Sequence, residues 1–269
     1  MDYVLYFFAY SFLGWVCECL YCGIPARRFI NRGFLEGPYC PIYGWGALIV
    51  IFALTPLRDY PPLLFLGAMI FTSVLEYVTS WLMEKLFHSK WWDYSERPFN
   101  LNGRICLLNS FLFGVMGLVV MYVVHPLISD ALAHIPGLAR IIIGAVLLVL
   151  FIWDNVHTFH AILRENSDYR MMEDSLKELA LQFRGFQPYS PEEPLSARIQ
   201  AILDQTDADE RLQEVLSRMQ ERWHEHIQAF RHTRRRLSAA FPKRTENIRF
   251  RNIRDLVAAL DEHLRKRDS

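Results

Sequence analysis

The sequence predicts an all-α membrane protein: a bundle of about five transmembrane helices, then a C-terminal helical region outside the bilayer. Two observations predict it. Five apolar segments approach the roughly 20 residues that a helix needs to cross the hydrocarbon layer. Charge is also divided sharply along the 269 residues. Residues 1–160 carry 9 of the 29 Lys and Arg and 10 of the 29 Asp and Glu, whereas the last 109 residues carry 20 and 19. The chain therefore divides into a transmembrane bundle, 1–160, and a cytoplasmic helical tail, 161–269.

The spans fall at about 3–22, 39–57, 62–87, 105–128 and 138–160. The first lacks the basic start and small-residue cleavage site of a secretory signal, so it is expected to stay as a helix. The second is the shortest. It begins at Gly37-Pro38-Tyr39-Cys40-Pro41, an irregular start tolerated only where protein or water covers it. Basic residues set the orientation. The first loop holds Arg27, Arg28 and Arg32, and the third holds Lys85, Lys90, Arg97 and Arg104. The second loop has only Arg58 and the fourth only Arg140. Odd loops and tail are thus expected in the cytoplasm and the N-terminus outside, with the bilayer of a cell (inner) membrane as the first partner.

Beyond the last span, 165–184 reads as helix and Gln187 to Pro194 as a Pro-rich breaker. Residues 195–239 read as helix with alternating charge signs, broken near Thr206-Asp207, and Phe241-Pro242 breaks it again. A last amphipathic helix is expected at about 247–266. The tail is either a solvated helical extension or a docking arm for a partner or a second copy. Mixed signs and a formal net charge of zero argue against nucleic acid.

The third span carries the most informative pattern. Ser73, Glu76, Ser80, Glu84 and His88 recur at three- and four-residue steps and share one helix face. A carboxylate in hydrocarbon costs roughly 2.5 kcal/mol or more on insertion scales. Such groups pair, turn inward or line a path. Glu18 and Asp154 repeat the situation in the first and last spans, Asp154 with His157 nearby. Tyr39 and Asn109 lie at matching depth, and Arg104 stands at the start of the fourth span. Polar groups thus fall in the inner half of every span. This predicts a polar cavity open to the cytoplasm, lined by Glu18, Glu76, Asp154, His157, Arg104, Tyr39 and Asn109. The plainer reading is that these groups bond helices together, for example Arg104 with Glu76 or Asp154. Gly14, Gly44, Ser110, Gly114 and Gly117 are expected at close helix contacts.

The third loop carries His88, Trp91, Trp92, Asp93 and Tyr94. It reads as an aromatic belt at the headgroups, or as a lid over the cavity together with Glu84 and Arg32. Only Glu84 and His88 have helical ligand spacing, so no metal site is assigned. Five cysteines, mostly in or beside apolar segments, give no disulfide framework, and Cys19-x-x-Cys22 has no second pair. No cofactor is implied.

Two runs resemble a known family. Asn31-Arg32-Gly33-Phe34-Leu35-x-Gly37-Pro38-Tyr39-x-Pro41-Ile42-Tyr43-Gly44 is one. The second starts at Leu75-Glu76-Tyr77-x-Thr79-Ser80 and continues through Trp91-Trp92-Asp93-Tyr94 to Gly103-Arg104-Ile105-Cys106-Leu107. Both are similar to the bacterial membrane family labelled "putative ABC-transporter type IV" (CmpB), over about residues 3–160. The resemblance implies a multi-span inner-membrane protein and carries over no catalytic residue. No GxxxxGK[ST] occurs, so ATP-driven transport would need a separate ATPase subunit. Three functions follow. The first is a permease-like component binding a small solute or ion. The second is a membrane enzyme acting on a lipid or lipid-linked substrate, with Glu76 or Glu84 as base, His88 or His157 as its partner and Arg104 as anion clamp. The third is a scaffold or sensor signalling through its tail.

Overall fold

The apolar runs fold as helices in a computed structural model that describes residues 1–87, 90–182, 236–237 and 240–241, with side chains of the last long helix described as far as Arg164. Helix α1 is Asp2–Ala26, α2 is Pro41–Leu54, and α3 is Pro61–Phe87. Helix α4, Leu107–Val119, passes through a π turn, Val120–Val124, into α5, His125–Ala133. Helix α6 is Gly137–Gln182. Four stretches are long and apolar enough to cross a membrane: Asp2–Ala26, Pro61–Phe87, Leu107–Ala133 and Gly137–Arg164. The second apolar helix, Pro41–Leu57 with its short 3-10 end, is shorter than these. The protein is therefore an all-α membrane bundle.

Local chemistry explains the ends. Helix α1 stops in a Schellman turn: Arg27 takes the left-handed conformation (φ 50°) and Arg28 N–H returns to Gly23 O at 3.3 Å. Pro41 opens α2 at a position where its missing N–H costs nothing. Pro126 cannot donate to the carbonyl four residues back, at Tyr122, and the ladder slips into the π turn just before it. The fourth span thus reaches five residues beyond its expected end at 128. Helix α6 continues unbroken past the expected end at 160, so the helix expected at 165–184 is part of it. The tail elements expected at 187–194, 195–239 and 247–266 lie outside the described residues, apart from 236–237.

Short α2 sits at the centre. Seven of its 14 residues are buried, against six of 27 in α3. It packs Leu48 on Phe7, Phe8 and Phe151, and Ala47 and Ile51 on Tyr10 and Val124. Val50 and Leu54 meet Leu64, Ala68 and Met121. Helices α1, α3, α4–α5 and α6 thus surround it. Cys40 N–H, just before α2, donates to Ser11 O at 2.9 Å. Ser11 lies roughly 22 Å along α1 from Ala26 at 1.5 Å per residue. Loop 1, residues 27–40, is therefore re-entrant: it folds back into the bundle before α2 begins. That is why α2 is short, and the covering that its irregular backbone needs is protein.

Small residues permit the crossings. A Cβ on Gly14 would strike the Tyr43 ring, and one on Gly117 would strike Ala68. Ser110 Oγ bonds Ser73 Oγ at 2.7 Å. By compactness, Met1–Phe159 and Arg235–Thr245 form one unit, and His160–Arg234 with Glu246–Ser269 form a second.

Gly44 faces Ser11 and the Phe7 carbonyl too closely for any side chain, whereas a Cβ on Gly46 meets only ordinary contacts at 3.7 Å. Gly44→Val should lower stability by about 1–3 kcal/mol. Gly46→Ala should be close to neutral. Thermal unfolding in detergent, followed by helical circular dichroism, compares the two.

Candidate functional site

The polar residues of the spans resolve into three clusters. The first joins α1, α2, α3 and loop 3, residues 88–106. Tyr43, one turn into α2, donates its hydroxyl to Glu18 Oε1 at 2.6 Å. Glu18 Oε2 lies 3.6 Å from Arg32 Nε of loop 1. Glu76, only 5% exposed on the inward face of α3, accepts the Tyr94 hydroxyl on Oε1 at 3.2 Å. Its Oε2 is buried and has no hydrogen-bond partner among the described residues. The two carboxylates lie close enough for the charge of Glu18 to act on Glu76. Tyr94, in the loop, is held well above the usual phenol range by burial first and by Glu76 next, so it remains a proton donor.

Loop 3 owes its shape to a hairpin of two-residue strands, Asn100–Leu101 against Ile105–Cys106, joined by a three-residue turn. Its turn puts Asn102 (φ 54°) and Gly103 (φ 67°) in the left-handed region, which Asn and Gly tolerate best. Gly103 O accepts Tyr94 N–H at 2.8 Å, and this fixes the tyrosine over Glu76.

The second cluster belongs to α6 and loop 1. Asp154, 7% exposed, is met by four donors. Glu36 N–H and Gly37 N–H reach its two oxygens at 3.0 and 2.8 Å. The Tyr39 hydroxyl adds a bond of 2.5 Å, and Thr158 one of 3.1 Å from the next turn of α6. His157 Nδ1 lies 3.8 Å from Glu36 Oε1. Two backbone amides of the re-entrant loop are thus satisfied by a buried carboxylate.

The third cluster lies at the end of α3. Arg104 bonds Glu84 at 2.5 Å and lies over the Tyr77 ring at 5.4 Å. It does not pair with Glu76 or Asp154. Trp92 Nε1 donates to Arg104 O at 3.0 Å. Asp93 Oδ1 accepts Ser95 N–H and the Ser95 hydroxyl. Trp91 is buried against Phe34 and Phe87. Half-buried Asn109 has no hydrogen bond to any of these clusters among the described residues, and its neighbour Ser110 bonds α3 instead. His88 lies outside the described residues.

The single set expected along the spans is therefore divided. Glu18 meets Tyr43 and Arg32, Glu76 meets Tyr94 within electrostatic reach of Glu18, Asp154, His157 and Tyr39 meet around loop 1, and Arg104 joins Glu84. Sequence reasoning missed Tyr43 and Tyr94 as the donors to the two glutamates, because those pairings link distant segments. Thr158 was legible, lying four residues after Asp154 on the same helix face. Among the described residues, no group of three His, Cys, Asp or Glu side chains is placed to hold a metal ion.

A family model described as "Putative ABC-transporter type IV" matches residues 5–159. No curated protein and no solved structure matches the chain.

Asp154→Ala should strip loop 1 of its acceptor and leave buried amides unmet, at about 1–3 kcal/mol for each. Amide exchange across 36–39 should accelerate in Asp154→Ala, and less in Asp154→Asn, which keeps one acceptor oxygen. Hydrogen-exchange mass spectrometry in nanodiscs reads both.

Proposed function

The chain belongs to the family described as "Putative ABC-transporter type IV", and on that premise we propose that it is a permease-like membrane component that passes a small cation or a proton through the Glu18–Tyr43–Tyr94–Glu76 cluster. The observation that carries this reading is the buried Glu76 Oε2 without a hydrogen-bond partner among the described residues. An unmet carboxylate in a membrane-spanning segment costs several kcal/mol, and the neighbouring carboxylate of Glu18 adds to that cost. A proton or a small cation arriving there removes it. Tyr43 and Tyr94 supply hydroxyls that both donate and accept, so they suit either guest.

Asp154 takes a different role in this account: its four donors assign it to holding loop 1. Glu84 and Arg104 neutralise each other and stand outside the path. Tyr94 covers Glu76 from loop 3, so the guest reaches Glu76 when that loop moves. The seven basic residues of loops 1 and 3 favour a cytoplasmic position for this end. Transport driven by ATP would dock a separate ATPase subunit there.

Proteoliposomes containing the protein and a pH-sensitive dye, under an imposed gradient of protons or of a monovalent cation, test the reading. Glu76→Gln should cut flux by roughly tenfold or more, a change of about 1.4 kcal/mol per decade. Tyr94→Phe should change the rate less. Equal flux in wild type and Glu76→Gln would favour the scaffold reading instead, in which the cluster only bonds helices together.

A further inference from the structure

Residues 236–237 and 240–241 lie against loop 1 within the same compact unit as the bundle. Arg236 donates to Gly33 O at 2.6 Å and to Phe34 O at 2.9 Å, a fork of charged donors on two consecutive carbonyls. Leu237 and Ala240 are each 1% exposed. Phe241 meets the buried Trp91 ring edge-to-face at 5.1 Å. Trp91 stands beside Phe34 at 4.9 Å, and Phe34 packs on Phe87 and Phe159 at 5.5 and 5.9 Å. Arg32 completes the seat: it donates to Ala240 O and lies over the Phe241 ring at 4.9 Å. Glu36 and Asp154 lie within electrostatic reach of Arg236, so the seat is acidic where the segment is basic.

We propose that loop 1 and Trp91 form a peptide-docking seat that recognises an arginine and an aromatic residue five positions later, and that the chain's own Arg236 and Phe241 occupy it reversibly. Three features suit a removable ligand. Recognition uses two backbone carbonyls, at Gly33 and Phe34, rather than a buried side chain of the loop. The aromatic contact lies at one end, through a single ring. The loop beneath has its own support, since Asp154 holds Glu36 and Gly37 without help from the segment. Arg32 gives the seat a further reach, because the same side chain lies 3.6 Å from Glu18. Occupancy is therefore felt by the residue next to the carboxylate pair.

Hydrogen-exchange mass spectrometry on the full chain in nanodiscs tests the proposal. In a double variant, Arg236→Ala with Phe241→Ala, exchange across 32–35 should rise about tenfold as the seat empties. A synthetic peptide of residues 234–245, added in excess, should restore wild-type protection, and the same peptide carrying both alanines should not. Helical circular dichroism identifies a variant that has merely unfolded. In that event Arg236→Lys, which keeps the charge but loses the fork, replaces it and should show a smaller rise that the peptide reverses. Unchanged exchange in a folded variant overturns the proposal. So does faster exchange that the peptide leaves unaltered, since the segment would then be a fixed part of the bundle.

Discussion

The bond set of Asp154 is the constraint from which the rest of the bundle follows. A carboxylate 7% exposed on α6 accepts two backbone amides, a tyrosine hydroxyl and a threonine hydroxyl. Irregular backbone at membrane depth survives only when its polar groups are met inside the protein. Asp154 meets two of those in loop 1, the amides of Glu36 and Gly37. The loop can then re-enter the bundle to the level of Ser11, and α2 can begin there. Only from that start does Tyr43, one turn later, reach Glu18. Gly14 lets it fit, because any side chain at that position would occupy the Tyr43 ring.

The two kinds of buried acid are treated differently. Asp154 has its charge spread over four donors, an arrangement in which charge-assisted bonds are strong. Glu76 has one tyrosine and a bare oxygen. In a bundle otherwise packed with Phe7, Leu48, Val50 and Ala68, that asymmetry separates a carboxylate that holds structure from one left able to take a guest. Loop 3 bears on the second kind through Tyr94, and loop 1 through Arg32. Both loops lie at the same end of the bundle, where Phe34 of one packs on Trp91 of the other.

Much of this was legible in the sequence because a bilayer leaves few choices. Long apolar runs had to be helices, and the Gly37–Pro41 stretch announced a short second helix with an irregular start. The face carrying Ser73, Glu76 and Ser80 turned inward as its spacing implied, all three being buried. The unbroken run of α6 was not legible, since polarity rises after His160 while helical propensity does not fall. The partners of the acids were not legible either. Arg104 finds Glu84 at a separation of 20 residues and Tyr94 finds Glu76 at 18, both across loop 3. Asp154 finds Glu36 at 118. Equal depth along separate helices does not fix rotation about each axis, so one expected site became three clusters.

The re-entry of loop 1 is tested most directly by a cross-link. In a protein with Cys17, Cys19, Cys22 and Cys106 changed to serine, Ser11→Cys would stand beside native Cys40, whose backbone bonds that turn of α1. Mild oxidation should join the two, within the roughly 4.4–6.8 Å between Cα atoms that a disulfide tolerates. Absence of that link, with Cys40 instead labelled rapidly by a water-soluble thiol reagent, would place the loop outside the bundle and contradict the account.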